Sequence, residues 1–143
     1  AKLNILDKVI FHGHVDDNLT ISQLFATSIA LVSPGHVGLS VLQSFAHGVP
    51  VVTGKSVQYR RERQHLFNLM TGNTVIMGPE YYNLLHNQNS LLVETSFELE
   101  LALKQLCTNS SYAAELGRNA YQFYARERSL SRMLEGFRQV IEE

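Results

Sequence analysis

Cysteine is almost absent from this chain of 143 residues, which contains only Cys107. A lone cysteine forms no internal disulfide, and its position on a helical pattern beside Leu103 and Leu106 predicts a small core residue. An excess of charge is also missing, because 12 Lys and Arg oppose 13 Asp and Glu. That balance argues against the broad positive field of proteins that bind duplex nucleic acid or an anionic membrane. We therefore expect no nucleic-acid partner.

Long hydrophobic runs and several catalytic motifs are absent as well. No stretch approaches the roughly 18 apolar residues of a membrane span, and no charged segment followed by an apolar run opens the chain, so we expect a cytoplasmic protein. The chain has no Gly-x-Ser-x-Gly elbow, no phosphate-loop lysine motif and no paired cysteines. Ser40 and Ser44 are therefore interpreted as helix-face residues rather than nucleophiles.

The chain does contain enough apolar residues for one core, since 45% are hydrophobic and 17% charged. Size and composition predict a single globular domain over residues 1–143. Apolar runs predict strands at residues 9–11, 29–32, 50–53, 74–77 and 91–93. Helical spacing predicts one helix that begins at Asp17 or Thr20, capped by Thr20 or Asn18, and others over about 39–47, 97–106, 111–124 and 130–141.

The order of these elements indicates the fold class. The first three predicted strands are continuously apolar, which is typical of parallel strands buried on both faces. Helix-length connections between parallel strands imply right-handed crossovers. The predicted fold is therefore α/β, with a Rossmann-like parallel sheet and flanking helices. Residues 1–6 look like the tail of a helix, so we expect a fragment of a longer protein.

In an open parallel sheet, ligands bind beyond the carboxyl ends of the strands. The most informative segment of this kind is residues 33–38, Ser-Pro-Gly-His-Val-Gly, which places two glycines between a strand and a helix. Glycines let backbone amides approach a ligand, and the helix end favours an anion. A helix terminus contributes about 0.3–2 kcal/mol, whereas micromolar binding requires about 8 kcal/mol, so other groups must contribute to a phosphate or carboxylate site.

Two further groups of polar residues are candidates. Lys55 and the arginines of residues 60–63 form the densest basic cluster and suit a diphosphate, although the arginines, with Glu62 among them, fit a solvated helix face better. His12 and His14 would point the same way on a strand and suggest a metal site with Asp16 or Asp17. Packing or capping is the favoured interpretation of the histidines, and we predict no metal.

A longer segment is more specific. Residues 33–53, Ser-Pro-Gly-His-Val-Gly-Leu-Ser-Val-Leu-Gln-Ser-Phe-Ala-His-Gly-Val-Pro-Val-Val-Thr, resemble the donor-binding segment of retaining glycosyltransferases of the GT-B group 1 (family four) class. Flanking segments resemble that family in the same order: residues 11–15, 21–30, 78–80, 89–93 and the last three helices. The resemblance implies the C-terminal half of a GT-B fold, truncated at its N-terminal side.

The family carries two glutamates separated by seven residues, which contact the donor sugar and the ribose. The resemblance aligns them with Gly35 and Gln43, so both carboxylates are missing. Residues 35–38 are instead similar to a divergent subgroup reading Gly-Asn-Val-Gly-Leu. The family's later glutamate is best matched by Glu80, with Tyr82 as a competing alignment.

The resemblance also implies roles for individual residues. The main chain of Gly35, His36, Val37, Gly38, Leu39 and Ser40 would stabilise the departing diphosphate. Gln43 would orient the ribose, Lys55 or an arginine nearby would add positive charge, and Glu80 would hold a hydroxyl or the nucleotide. The nucleotide sugar is a substrate, and neither a metal nor another cofactor is implied.

The implied function is nucleotide-sugar binding within a hexosyltransferase of polysaccharide biosynthesis, which moves a sugar onto a glycan or lipid-linked acceptor. The parent enzyme would supply an N-terminal acceptor-binding half and would lie in the cytoplasm, with peripheral association at the inner face of the membrane allowed. We expect the isolated chain to be inactive and to self-associate through an unpaired sheet edge. The alternatives are a non-catalytic glycosyltransferase-like module, for nucleotide binding or interaction, and a nucleotide-sugar epimerase of the same architecture.

Overall fold

The computed structural model describes residues 5–35, 37–55 and 79–141. The helices of these residues are α1 (Asn18–Ala26), α2 (Ser40–Ala46), α3 (Ser96–Thr108), α4 (Ser110–Phe123) and α5 (Leu130–Ile141), and the strands are β1 (Leu31–Ser33), β2 (Val51–Gly54) and β3 (Ser90–Val93). Short 3-10 turns cover Leu6–Lys8 and Pro79–Asn83, and a π-helical turn, Tyr124–Arg128, joins α4 to α5. The predictions for residues 1–4, His36, the basic cluster at 60–63 and the strand at 74–77 lie outside the described residues.

The three strands of the described residues form one parallel sheet in the order β1-β2-β3. Val51 of β2 lies opposite Leu31 of β1 and Ser90 of β3. The central strand β2 is buried along its whole length, whereas Val32 of β1 is 42% exposed. A central strand covered on both faces requires a continuous apolar sequence, which Val51 and Val52 supply. The predicted α/β class with a parallel sheet and flanking helices is confirmed at this level.

Two hydrophobic clusters pack on opposite faces of the sheet. One contains Val52, Leu91, Val93, Ala102, Leu106 and Leu116, so that α3 covers this face. The other contains Val37, Val41, Phe45, Val51, Leu84 and Ala120, so that α2 covers the opposite face. Helix α4 contributes to both, because Leu116 and Ala120 are one turn apart and each belongs to a different cluster.

Several predicted elements are confirmed with shifts of one or two residues. Helix α2 lies inside the predicted range 39–47 and ends before Gly48, whose φ of +67° is the left-handed conformation that favours glycine after a helix. Strands β2 and β3 and the three C-terminal helices lie where the apolar patterns predict them. None of the helices in the described ranges has the length and apolar character needed to cross a membrane.

The predicted buried strand at residues 9–11 is wrong. These residues follow the 3-10 turn Leu6–Lys8 without forming a strand, and Ile10 and Phe11 are 78% and 84% exposed. An apolar run becomes a strand only where a neighbouring strand accepts its backbone hydrogen bonds. Among the described strands, none pairs with this segment.

The predicted details of α1 and β1 also need correction. Asp17 caps α1, and its carboxylate accepts a hydrogen bond from the Thr20 amide at 2.7 Å, so neither Thr20 nor Asn18 is the cap. The helix starts one residue later than its cap, which makes Thr20 the third helical residue that a cap side chain reaches. Strand β1 is half-buried rather than buried, because it forms an edge of the described sheet.

Cys107 is exposed, so its prediction as a core residue is wrong. The buried residues of α3 are Ala102 and Leu106, which are four positions apart. The next residue along a helix turns by about 100° from the one before, and this rotation carries Cys107 away from the face that Leu106 buries.

Candidate functional site

The carboxyl ends of the three parallel strands lie together at one end of the sheet, and we call this end the carboxyl edge. Pro34 follows β1, Lys55 follows β2 and Glu94 follows β3. The Lys55 amide donates to the Val93 carbonyl oxygen at 2.9 Å, which extends the pairing of β2 and β3 by one residue. The edge therefore brings together the segments that the topology predicts as ligand-binding.

Gly54 makes this edge compact. A Cβ atom at this position would lie 2.9 Å from the Pro34 carbonyl oxygen, closer than a side chain tolerates. The Thr53 hydroxyl also donates to the Ser33 carbonyl oxygen at 2.6 Å. Residues 53–55 are a predicted ligand-binding loop, and a glycine that ends an apolar strand, as Gly54 does, is a signal of this close backbone approach.

The turn between β1 and α2 is anchored by Val37. Its side chain is 1% exposed and packs in the cluster with Val41 and Phe45, so only its main chain can meet a ligand. Gly35 and Gly38 are half-buried, whereas Leu39 is 70% exposed. The buried Val37 side chain thus anchors the turn to the core, and the turn contains a glycine before and a glycine after this residue.

Some backbone amides in the first turn of α2 already donate hydrogen bonds to carbonyl groups just before the helix. The Val41 amide donates to the Gly38 carbonyl and the Leu42 amide donates to the Leu39 carbonyl, both at 3.0 Å. Ser40, the first helical residue, is half-buried, and Leu39 before it makes no side-chain cap. Because α2 has only seven residues and two of its early amides are already bonded, the helix end alone is a weak anion site.

Lys55 forms an ion pair across the strand ends with Glu94. The distance from Nζ to the Oε1 atom is 2.5 Å, and the side chains are 35% and 21% exposed. Glu94 follows the apolar strand Leu-Leu-Val directly, at the same edge as the predicted site. A charged residue directly after an apolar run is a sequence signal for Glu94, because residues that follow the strands of a parallel sheet lie at the same end of the sheet.

Gln43 and Glu80 lie on segments that pack against each other. Gln43 is exposed on α2, and its carbonyl accepts a hydrogen bond from Nδ1 of His47 at 2.8 Å. Glu80 is half-buried in the 3-10 turn Pro79–Asn83, and its carbonyl accepts from the Asn83 side-chain amide at 3.0 Å. Leu84 shares the core cluster of α2, so the Glu80 segment lies beside that helix.

His86 lies close to the carboxyl edge, although no sequence motif predicts a functional residue there. Its Nδ1 atom accepts a hydrogen bond from the Leu92 amide at 3.0 Å, which requires the proton of the neutral ring to be on Nε2. Burial lowers the pKa of His86, the positive charge of Lys55 lowers it further, and Glu98 opposes both effects. The neutral ring is therefore the form that this environment favours.

The opposite end of β3 carries a separate polar network. Asn89, 1% exposed, accepts from the Leu85 amide at 2.7 Å and donates to the Asn83 carbonyl at 3.0 Å. Arg128 donates to the Asn83 side chain at 2.7 Å. A shallow depression of about 190 Å³ lies beside Asn89 and Arg126, at the amino end of the strand and away from the predicted site. The network fixes the segment that leads into β3.

The histidines considered for a metal site are both exposed. His12 and His14 lie in the segment before α1, and Asp17 is engaged as the α1 cap. In the part of the chain that the structure describes, no three His, Cys, Asp or Glu side chains form a group that could hold a metal ion.

Chemically, the carboxyl edge offers main-chain groups at a glycine turn, a partly buried lysine with a carboxylate partner, and polar side chains on two adjoining segments. These groups suit the binding of a polar anion by hydrogen bonds and charge. No family model, curated protein or solved structure matches this chain.

Proposed function

We propose that this chain is the donor-binding part of a glycosyltransferase and that it binds a nucleoside-diphosphate sugar at the carboxyl edge. The observation that carries the proposal is the meeting of three segments. The glycine turn after β1 touches the end of β2 through Gly54 and Pro34, and Lys55 follows directly. The segment with Glu80 packs beside α2. These are the segments to which the resemblance assigns donor-binding roles.

The diphosphate would lie against the main chain of residues 35–40. Anchoring by Val37 supports this role, because a turn held by the core presents its amides without reorganisation when a ligand arrives. Lys55 would add charge, Gln43 would hydrogen-bond a ribose hydroxyl, and Glu80 would hold a further hydroxyl or the nucleotide. In this proposal the acceptor-binding half belongs to a longer parent enzyme of the GT-B class.

A titration calorimetry experiment with nucleoside-diphosphate sugars tests this function. The wild-type chain should bind them, and Gly38→Val should reduce the affinity at least tenfold, because a branched side chain blocks approach to the turn. Gly136→Val on α5 is the matched control, since a Cβ there has no heavy atom within 4 Å. Equal affinity of Gly38→Val and the control would reject the turn as the phosphate site.

A non-catalytic binding module is the second candidate, and one observation favours it. Gly35 has no side chain and Gln43 presents an exposed amide, where the resembling family has two carboxylates. An amide supports hydrogen bonding to a ribose but carries no negative charge. Donor hydrolysis by the complete parent protein would favour the transferase, whereas nucleotide-sugar binding without turnover would favour the module.

A further inference from the structure

We infer that Glu94 is an internal counter-ion which a phosphate has to displace from Lys55, and that it thereby selects multiply charged anions over single carboxylates. The inference rests on the proposed function, because it concerns the same carboxyl edge. It adds a specificity-determining residue that neither the sequence patterns nor the resemblance assigns.

The positions of the two side chains follow from strand register. Gly54 of β2 lies opposite Val93 of β3, so the next residue of each strand, Lys55 and Glu94, also lie side by side. The Lys55 amide bonds to the Val93 carbonyl at 2.9 Å and holds this register beyond the strand end. Neighbouring positions on adjacent strands bring their side chains within contact distance, which accounts for the 2.5 Å ion pair.

Glu94 is held in place from the helix side as well. Its amide donates to the Glu98 carboxylate at 2.8 Å, and the Glu98 amide donates to the Thr95 hydroxyl at 3.1 Å. These two bonds form the start of α3 and fix the backbone on which the Glu94 side chain is mounted. The carboxylate therefore meets Lys55 from a defined direction rather than from a mobile loop.

Burial distinguishes this pair from the other ion pairs of the described residues. The side chains of Arg132 and Glu135, for example, are 57% and 58% exposed, compared with 35% and 21% for Lys55 and Glu94. Water screens a charge pair less as it becomes buried, so the carboxylate of Glu94 strongly reduces the positive potential that an arriving anion meets at Lys55.

Displacement makes the edge selective. A ligand with a single carboxylate would form the same kind of ion pair with Lys55 as Glu94 does. Because Glu94 is already in place at a high effective concentration, replacing it with such a ligand gives no favourable free energy. A diphosphate carries more charge and more acceptor oxygens than a carboxylate, so it gains more from Lys55, and in this proposal it also contacts the turn after β1. The class of ligand that this edge admits is therefore a diphosphate or a comparable polyanion.

The test is a calorimetric titration of the chain with inorganic pyrophosphate and with acetate. Glu94→Gln keeps the shape of the side chain and removes its charge. We expect this variant to bind pyrophosphate about tenfold more tightly than the wild type, a change of about 1.4 kcal/mol, and to bind acetate detectably. Lys55→Met should weaken pyrophosphate binding, and the double variant should bind as Lys55→Met does.

Glu135→Gln removes a carboxylate from an exposed ion pair on α5 and is the matched control, with pyrophosphate affinity unchanged. Glu94→Ala and thermal melts of each variant separate a binding effect from a folding defect. Pyrophosphate and acetate affinities in Glu94→Gln equal to those of the wild type would overturn the inference and leave the proposed function standing. A tighter pyrophosphate complex without any binding of nucleotide sugars would support the inference and reject the proposed function, and no binding by any variant would reject both.

Discussion

Gly117 allows α4 to lie directly on the turn that precedes β2. A Cβ atom at this position would lie 2.2 Å from the Gly48 carbonyl oxygen and 3.3 Å from the Gly48 carbonyl carbon. Glycine inside a helix costs about 1 kcal/mol relative to alanine, so its presence in the middle of α4 needs a reason. The reason is this approach of one backbone to another.

Gly117→Ala should therefore destabilise the chain by about 1–3 kcal/mol, because α4 has to move away from the Gly48 turn. Gly136→Ala on α5 is the matched control. It lies in open space, and it should stabilise the chain by up to about 1 kcal/mol through helix propensity. Urea denaturation measures both changes, and shifts of the same sign in the two variants would contradict the proposed contact.

His86 should make stability depend on pH. Its folded-state pKa is lowered, first by burial and then by Lys55, below the value of about 6.5 that the unfolded chain has. The fold favours the neutral ring, so the contribution of His86 to stability is fully present above about pH 6.5 and is lost as the pH falls through the lower folded pKa. The Leu92 amide loses its acceptor when Nδ1 is protonated.

Denaturation of the wild type and of His86→Gln between pH 7.5 and about 5 tests this link. The free energy of unfolding should fall with decreasing pH more steeply in the wild type than in the variant. Parallel pH profiles of the two chains would show that folding does not lower the pKa of His86.

At the scale of elements, helices α4 and α5 have apolar residues at similar spacing but bury them differently. Leu116 of α4 is 1% exposed, whereas the apolar residues of α5 whose side chains the structure describes are exposed by half or more. They are Leu130, Met133, Leu134, Phe137 and Ile141. Periodicity predicts that a helix has an apolar stripe, but the surface that covers the stripe depends on contacts distant in sequence.

This difference predicts unequal effects of truncating side chains. Leu116→Ala should lower the free energy of unfolding by about 2–5 kcal/mol, because it leaves a cavity between α4 and the sheet. Phe137→Ala should change it by no more than about 0.5 kcal/mol, since its ring is 67% exposed. Chemical denaturation of both variants provides the measurement, and a comparable loss in Phe137→Ala would mean that the α5 stripe is covered.

For the whole molecule, the parallel sheet was predictable because its central strand is apolar at consecutive positions and is bounded by strong turn signals. Gly48 and Pro50 are such signals, and β2 follows them directly. The segment at residues 9–11 has an equally apolar sequence but forms no strand. A local pattern contains no information about whether a second strand is present to pair with it.

The candidate site was also predictable only in part. The glycine turn and Lys55 are recognisable from the sequence, because both follow apolar runs at the predicted carboxyl edge. Glu94 was missed because it is 39 residues from Lys55, and their contact depends on the register of β2 against β3. Register is fixed by side-chain packing on both faces, which a single sequence does not reveal.

Helix α4 has a role that neither α2 nor α3 shares, since Leu116 and Ala120 join the packing on opposite sides of the sheet. A polypeptide that ends before Ser110 would lack α4 and would therefore lose packing in the hydrophobic clusters on both faces of the sheet. We expect neither cluster to remain folded without the other, so that the two unfold together.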